Sequence, residues 1–539
     1  MKKYMLAAIH RAHAVSLKKE TRRFCTSLKK ISIKQEEILQ AIIRENANCQ
    51  YLKYYLKEHD CTNSIIETVQ EKLPIVSYKD LSPWIDKIHS TNDRVLTEEP
   101  VLFWEPTSGS TDSKKWIPYT ASLLNSFNNG IKPWLKSLYD YYPTLKSGTH
   151  YWSISMATSE HIQNHTGIPL GVEDDSDFLD PFSRWAMHKI TAVPSSIKHC
   201  KTSEEWQFNT CRYLLEQNNL SFISIWSPTF LMVLCDYIVE NFDNMVASLS
   251  RNRQKEIIKS KFENTRDFSK LWPNLKLISC WTDGPSYTFA KALLSRFSNS
   301  VIQGKGLLAT ECVISIPFIN SRKNFFSHKE SLISQGSVLA SNSHFFEFLE
   351  AETDCTDTYL AHELKIGITY IPVVTTSGGL YRYKINDLVR CTGFIQKTPT
   401  IEFVGKADYT SDVAGEKLHP IFIDNIIKKV REKMKIEIHF MLISAPKILP
   451  GSYKLFIDSP ESDNDIKNFT EELEYQLNSS HHYFNCIKIG QLKPLSFHRV
   501  KNAWRKYQTM FTKHGMKLGD IKPSILNNRY DWDKVFLKN

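Results

Sequence analysis

The chain has 539 residues, 42% of them hydrophobic and 23% charged, a composition that excludes a disordered or collagen-like polymer and calls for several structural units built on a large core. Its 68 Lys and Arg against 58 Asp and Glu leave +10, a mild excess over this length that suits a polyanionic small molecule better than a nucleic-acid or membrane surface. Eleven scattered cysteines, an odd number with no CxxC pair, favour reduced thiols and a cytoplasmic protein over a disulfide framework.

In chain order, Met1–Ile9 starts like a secretion signal, but His10 and Arg11 cut the apolar stretch short. Residues 1–70 contain no Pro or Gly, and Gln35–Ile43 sets apolar residues at helical spacing, so a helical section is expected. Pro74 breaks that pattern. From Val101–Trp104 onward, short apolar runs (Ser221–Trp226, Leu275–Trp281, Val301–Ile302) alternate with longer helical patterns, which predicts an α/β sheet. The most apolar window, Phe222–Val239, is interrupted by Ser224, Ser227, Pro228 and Asp236, so no membrane-spanning helix is expected. After about residue 340 the runs shorten (Phe345–Phe348, Ile366–Ile371, Ser377–Leu380, Ile401–Val404), which fits a barrel-like or antiparallel subdomain. Beyond Gly405, helical patterns at His419–Met434 and Asp465–Asn478 flank Phe440–Ser444 and Tyr453–Ile457 and predict a small α+β domain. The reading is an α/β protein with a large N-terminal domain, 1–404, and a smaller C-terminal one, 405–539.

Thr107-Ser108-Gly109-Ser110-Thr111-Asp112-Ser113-Lys114-Lys115 follows a predicted strand and reads as a phosphate cradle. Gly109 admits close backbone approach, hydroxyls and amides donate, and Lys114 or Lys115 offsets charge. It is not a Walker A loop, because Ser113 stands where that motif needs glycine before Lys114. Alone, the string also fits a polar surface turn.

Two later strings change its meaning: Leu308-Ala309-Thr310-Glu311, and Gly379-Leu380-Tyr381-Arg382-Tyr383-Lys384-Ile385-Asn386-Asp387-Leu388-Val389. With Phe403-Val404-Gly405-Lys406-Ala407-Asp408, Gly415-Glu416-Lys417-Leu418, Leu73–Leu81 and Trp272–Lys276, they closely resemble the Gretchen Hagen family of acyl acid amido synthetases, the auxin-responsive branch of the adenylate-forming superfamily.

The resemblance implies a ligase that uses ATP and Mg²⁺ to adenylate a small carboxylic acid and then passes the acyl group to the amine of an amino acid, as a monomer. Carried over position by position, it implies that Thr107, Ser108, Gly109, Ser110, Thr111 and Lys114 hold phosphates, that Thr310 and Glu311 flank them with Glu311 on the metal, and that Asp387 accepts from the ribose. Tyr381 and Tyr383 stand at strand spacing beside that aspartate, with Tyr381 as a nucleotide contact and ordinary packing as the competing reading. The C-terminal domain of the superfamily is mobile, and its hinge falls here at Gly405-Lys406-Ala407-Asp408. Lys406, where the family often has Arg, keeps the charge but loses the bidentate fork. Ser110 for Thr, Ala309-Thr310-Glu311 for Ser-Ser-Glu and Asn386 for Gly are the other departures; Asn tolerates the left-handed turn that Gly supplies. Gly519-Asp520-Ile521-Lys522-Pro523 resembles the string that carries the family's terminal catalytic lysine, with Asp for Gln and one residue fewer before Pro, which makes Lys522 the candidate.

Trp152, Met156, Trp226, Phe230 and Trp281 are candidates for the acyl pocket, although each also fits a plain core position. Gly304-Lys305-Gly306-Leu307-Leu308-Ala309 matches a dinucleotide fingerprint, but Val313–Pro317 after it is strand-like where a helix is required. His481, His482 and Cys486 lack the second ligand pair of a zinc site, and Arg499–Tyr507 is too short a basic run for nucleic acid. Two alternatives stay open: transfer of the acyl group to a thiol, and a homologue that binds nucleotide or acid without turnover.

Overall fold

The computed structural model describes residues 2–56, 64–91, 93–107, 115–154, 167–172, 175–284, 286–319, 336–351, 353, 357–407, 411–514, 516, 518–528 and 531–537. These fall into two compact units. The first comprises Met1–Asp283, Ala290–Ile385 and Val389–Phe403, and the second Gly284–Phe289, Asn386–Leu388 and Val404–Asn539.

The first unit begins with six helices: α1 (Lys2–Ser16), α2 (Lys18–Ser27), α3 (Ile31–Glu45), α4 (Gln50–Tyr55), α5 (Ile65–Lys72) and α6 (Tyr78–Thr91). They form because their apolar residues recur at helical spacing; Ile31, Leu39 and Ile42 of α3, for example, turn inward to the main core. Gln35 fixes the position of α3 by donating to the carbonyls of Ser341 and His344 while accepting from Phe346 N–H.

A hairpin of β1 (Phe103–Pro106) and β2 (Trp116–Tyr119) leads into α7 (Ala121–Tyr141), which Thr120 caps by accepting from Leu123 N–H. A parallel sheet in the order β3 (Thr149–Trp152), β4 (Leu220–Ser224), β5 (Leu277–Cys280), β6 (Val301–Gly304) follows. Helices separate its strands, among them α8 (Pro181–Ile190), α9 (Ser203–Glu216) and α10 (Pro228–Glu240), so each connection is a crossover and the strands run parallel. Every residue of β4 and β5 is buried, as expected of strands covered on both faces.

The eight-stranded sheet after it, antiparallel in its described pairings, is the expected barrel-like or antiparallel subdomain. Its strands are β7 (Ser315–Ile316), β8 (Ser337–Leu339), β9 (Phe345–Glu350), β10 (Tyr359–Leu360), β11 (Thr369–Thr375), β12 (Tyr383–Lys384), β13 (Asp387–Ile395) and β14 (Thr398–Lys406). They run in the order β10-β9-β11-β13-β14-β8-β7, with β12 added to β11. Ser377–Leu380, read from sequence as a strand, is a turn in which Gly379 has φ +91°.

The second unit carries its own three-stranded sheet, β15 (Phe440–Ser444), β16 (Gly451–Asp458) and β17 (Leu492–Arg499), with β15 antiparallel and β17 parallel to β16. Pro420–Met434 and Asp463–Leu477 pack on it as helices around a separate apolar core. Among the described residues, no helix is long and apolar enough to cross a membrane.

Candidate active site

In the first unit, Thr107 and Lys115, the two ends of the hydroxyl-rich string, follow β1 and precede β2 of the hairpin. The strands pair from Phe103↔Tyr119 to Pro106↔Trp116, and Thr107 N–H donates to the Lys115 carbonyl to close its base. Thr107 Oγ is buried and has no hydrogen-bond partner among the described residues. Ser108, Gly109, Ser110, Thr111 and Lys114 lie outside the described residues, as does Met156.

Thr310 and Glu311 form the tip of a tight turn. Ala309 and Cys312 exchange backbone hydrogen bonds at 3.0 and 3.3 Å, and Leu308 bridges Val313. Gly306 enters this turn at φ +75°, and a Cβ there would stand 2.4 Å from the Ser315 carbonyl, so only glycine fits. The Tyr119 hydroxyl donates to the Thr310 carbonyl at 2.6 Å, which joins the hairpin to the carboxylate turn. Glu311 is half-buried and hydrogen-bonded to the Tyr383 hydroxyl. Burial, and then the charge of Glu311, hold the Tyr383 phenol well above its ordinary range, so it stays a neutral partner to that carboxylate.

The motif around Arg382 divides its residues among different tasks. Tyr381, expected at the nucleotide, is a core residue: it is fully buried, stacked on Tyr51 at 5.4 Å between ring centroids, and its hydroxyl donates to the Leu96 carbonyl. Arg382, at φ +46°, turns its guanidinium onto the fully buried Glu347 carboxylate and onto the carbonyls of Gln70 and Leu73. That left-handed residue breaks the strand, so the two tyrosines do not share the role that period-two spacing suggested.

In the second unit, Asp387 begins β13 and Lys406 ends β14, the adjacent strand, and their side chains meet at 2.8 Å. Asp387 is nearly buried while Lys406 is about one-third exposed, and the lysine donates to the Asp387 carboxylate as its ion-pair partner. Glu416 is fully buried and structural: it accepts from Val413 N–H, Ala414 N–H, Ser411 and the Tyr453 hydroxyl, and so folds the loop around it. Lys522 follows a short 3-10 turn and is half-buried, with its carbonyl accepting from Tyr507.

The aromatic candidates, all in the first unit, divide between pocket and core. In-register neighbours of a sheet share a face, so Trp152, Ser224, Ser279 and Gln303 form one row at the carboxyl ends of β3, β4, β5 and β6. Ligands of parallel sheets bind at this end. Trp226 and Trp281 lie just past the strands with ring centroids 6.0 Å apart. Phe230 instead is fully buried in the first turn of α10, edge-on to Trp206 at 5.4 Å, and belongs to the core. Lys305, discounted with its fingerprint because no helix follows, is 5% exposed beside this row. A cation flanked by two glycines just after a buried strand was the signal for it.

A parallel sheet with a hydroxyl-rich hairpin and a carboxylate turn, an antiparallel sheet and a separate α+β unit together define the α/β fold of the acyl acid amido synthetases. A solved acyl acid amido synthetase in complex with 2,4-DB superposes with TM-score 0.81 at 18% identity, covering 97% of this chain and 95% of that one. The chain belongs to the GH3 family: its residues 20–301, 337–406 and 422–531 match the N-terminal, central and C-terminal domains of the family. Arabidopsis thaliana relatives include an indole-3-acetic acid-amido synthetase, 20% identical over 81% of this chain and 86% of the relative. Another, a 4-substituted benzoates-glutamate ligase, is 20% identical over 90% of this chain and 91% of its own length.

Proposed function

We propose that this protein is an ATP-dependent acyl acid amido synthetase that joins a small carboxylic acid to the amine of an amino acid. The observation that carries the reading is Glu311, presented at the tip of a two-residue turn and tied through Tyr119 and Tyr383 to the hairpin and the motif strand, in a chain that matches all three domains of the family.

A carboxylate oxygen attacks the α-phosphorus of ATP and pyrophosphate departs; the amine nitrogen then attacks the activated carbonyl, loses its proton, and AMP departs. The protein's part is to position these groups and to neutralise charge. The half-buried Glu311 carboxylate is a hard oxygen donor of the kind Mg²⁺ takes, and the buried Thr107 hydroxyl, without a hydrogen-bond partner among the described residues, is a donor suited to a phosphate oxygen. Mg²⁺ would supply charge neutralisation on the triphosphate. Asp387, paired with Lys406 at 2.8 Å, accepts from ribose hydroxyls, and Lys522 in the C-terminal domain, 405–539, is the candidate catalytic lysine. Trp152, Trp226 and Trp281 wall the acyl pocket.

The test is amino-acid-dependent release of AMP and pyrophosphate from Mg-ATP across a panel of small aromatic and aliphatic acids. Glu311→Ala and Asp387→Ala are each expected to lower the rate about a hundredfold or more in variants that still unfold cooperatively. A thioester formed with coenzyme A in place of the amide would assign the chain to thiol acylation. Nucleotide binding without AMP release would make it a binding homologue.

A further inference from the structure

The Lys305 ammonium stands among the rings of Trp226, Trp134 and Trp152 at 5.0, 5.4 and 5.9 Å from their centroids, within cation–π range of all three. Its Nζ donates to Ser224 Oγ at 2.5 Å. Two further polar groups share this face. Ser279 pairs in register with Ser224 and is fully buried, and its hydroxyl has no hydrogen-bond partner among the described residues. Trp152 pairs in register with Ser224 on the other side, and its indole N–H is buried and likewise without a partner among the described residues. The Trp152 N–H and the Ser279 hydroxyl are the two donors here without a partner among the described residues, and the Gln303 amide oxygen of the same row already accepts from the Trp134 N–H, so what completes this cluster is an acceptor oxygen.

The geometry points to a subsite for that oxygen. We propose that Lys305, with Ser224, Ser279 and Trp152, binds a second acceptor oxygen of the acyl acid, a carboxylate or hydroxyl remote from the reacting carboxylate, and thereby sets substrate choice. This rests on the amido synthetase reading only for the identity of the bound molecule. The distal end is indicated because the reacting end must meet the partly exposed Glu311, whereas Lys305 is enclosed by indoles and 5% exposed. A site built to hydrogen-bond such an oxygen discriminates against analogues that lack it, since its own buried donors are then left unpaired. Lys305 is thus a specificity-determining residue, and plain aromatic acids are the disfavoured class.

The test compares matched acids with and without the distal oxygen: phenylacetate against para-hydroxyphenylacetate, and benzoate against terephthalate. Binding is followed by intrinsic tryptophan fluorescence, which the indoles around Lys305 make sensitive and which needs no turnover, and kcat/KM is followed by AMP release. The oxygenated member of at least one pair is expected to bind at least about tenfold tighter, and Lys305→Met is expected to erase that preference, with Lys305→Arg retaining part of it. Ser279→Ala, a smaller change, is expected to lower the same preference several-fold and guards against misfolding of the lysine variants. Equal affinity for both members of each pair, or equal loss for both in Lys305→Met and Ser279→Ala, overturns the inference. A lysine-dependent preference in binding with no AMP from any acid would uphold this subsite and overturn the ligase reading. AMP release without any preference would do the reverse.

Discussion

Removing the Arg382 guanidinium would strand the Glu347 carboxylate, which is fully buried and receives two of its hydrogen bonds from that arginine at 3.0 and 3.1 Å. A buried ion pair adds little over an apolar pair, but breaking one leaves an uncompensated charge. Arg382→Ala is therefore expected to destabilise the first unit by about 3–5 kcal/mol, read as a shift in the urea midpoint. A change below about 1 kcal/mol would return this pair to the class of weak surface bridges. The sequence presented Tyr381 to Asp387 as one functional string. In the fold, Tyr381 packs on Tyr51, Arg382 holds Glu347, Tyr383 meets Glu311 and Asp387 pairs with Lys406. The carboxylates drew attention because a charged residue at a motif station is conspicuous. The loss of Tyr381 to the core was hidden, since an aromatic side chain looks the same in a pocket and in packing. Lys305 was hidden for the opposite reason: its neighbours Ser224, Trp152 and Trp134 are far away in the chain.

Between elements, α1 is fastened to α7, α8 and β3 by a buried cluster of histidines. His10 and His13 both contact the Tyr139 hydroxyl at 3.1 Å, His10 reaches the Gly148 carbonyl, His13 reaches Ser183, and the His150 ring lies 4.6 Å from that of His10. Burial lowers the pKa of both His10 and His13 to about 4 and pushes His150 down as well; Asp180 opposes this at His13, while Lys132 adds to it. The folded chain thus binds these protons more weakly than the unfolded one, whose histidines titrate near 6.5. Stability from the cluster is complete above pH 6.5 and is lost as pH falls from there toward 4. Urea midpoints measured across that interval should fall, and His10→Gln combined with His13→Gln should flatten the fall; an unchanged slope would remove the cluster as its cause. Helical spacing did reveal the helices themselves: His419–Met434 and Asp465–Asn478 from sequence became Pro420–Met434 and Asp463–Leu477. Ser377–Leu380 was misread because a short run with two glycines can be strand or turn, and the left-handed φ of Gly379 decides for the turn. The run Arg499–Tyr507 leads into the helix Ala503–Lys513, whose Tyr507 is buried against Trp532, so its aromatics serve packing.

At the scale of the whole molecule, the second unit has its own sheet and its own apolar core, including Tyr453, Leu455, Phe469 and Tyr483, all fully buried. A domain with a separate core can fold alone. A fragment beginning at Val404 is expected to unfold cooperatively in urea, though weakened by loss of the Asp387–Lys406 pair and of the Phe289–Trp504 contact. A fragment with no cooperative transition would mean that Gly284–Phe289 and Asn386–Leu388 are indispensable to that core. What the sequence by itself determined was whatever neighbouring residues encode: helical and strand periodicity, breaks at Pro and Gly, the order of the family strings, and the candidate carboxylates Glu311 and Asp387. What only the tertiary structure decided were pairings between residues far apart in the chain, such as Arg382 with Glu347, Lys305 with Ser224, Tyr119 with Thr310 and His13 with Tyr139. The reason is physical: periodicity and turn chemistry act over a few residues, whereas desolvation and hydrogen-bond satisfaction act through space, and a linear string carries no distances between segments that burial brings together.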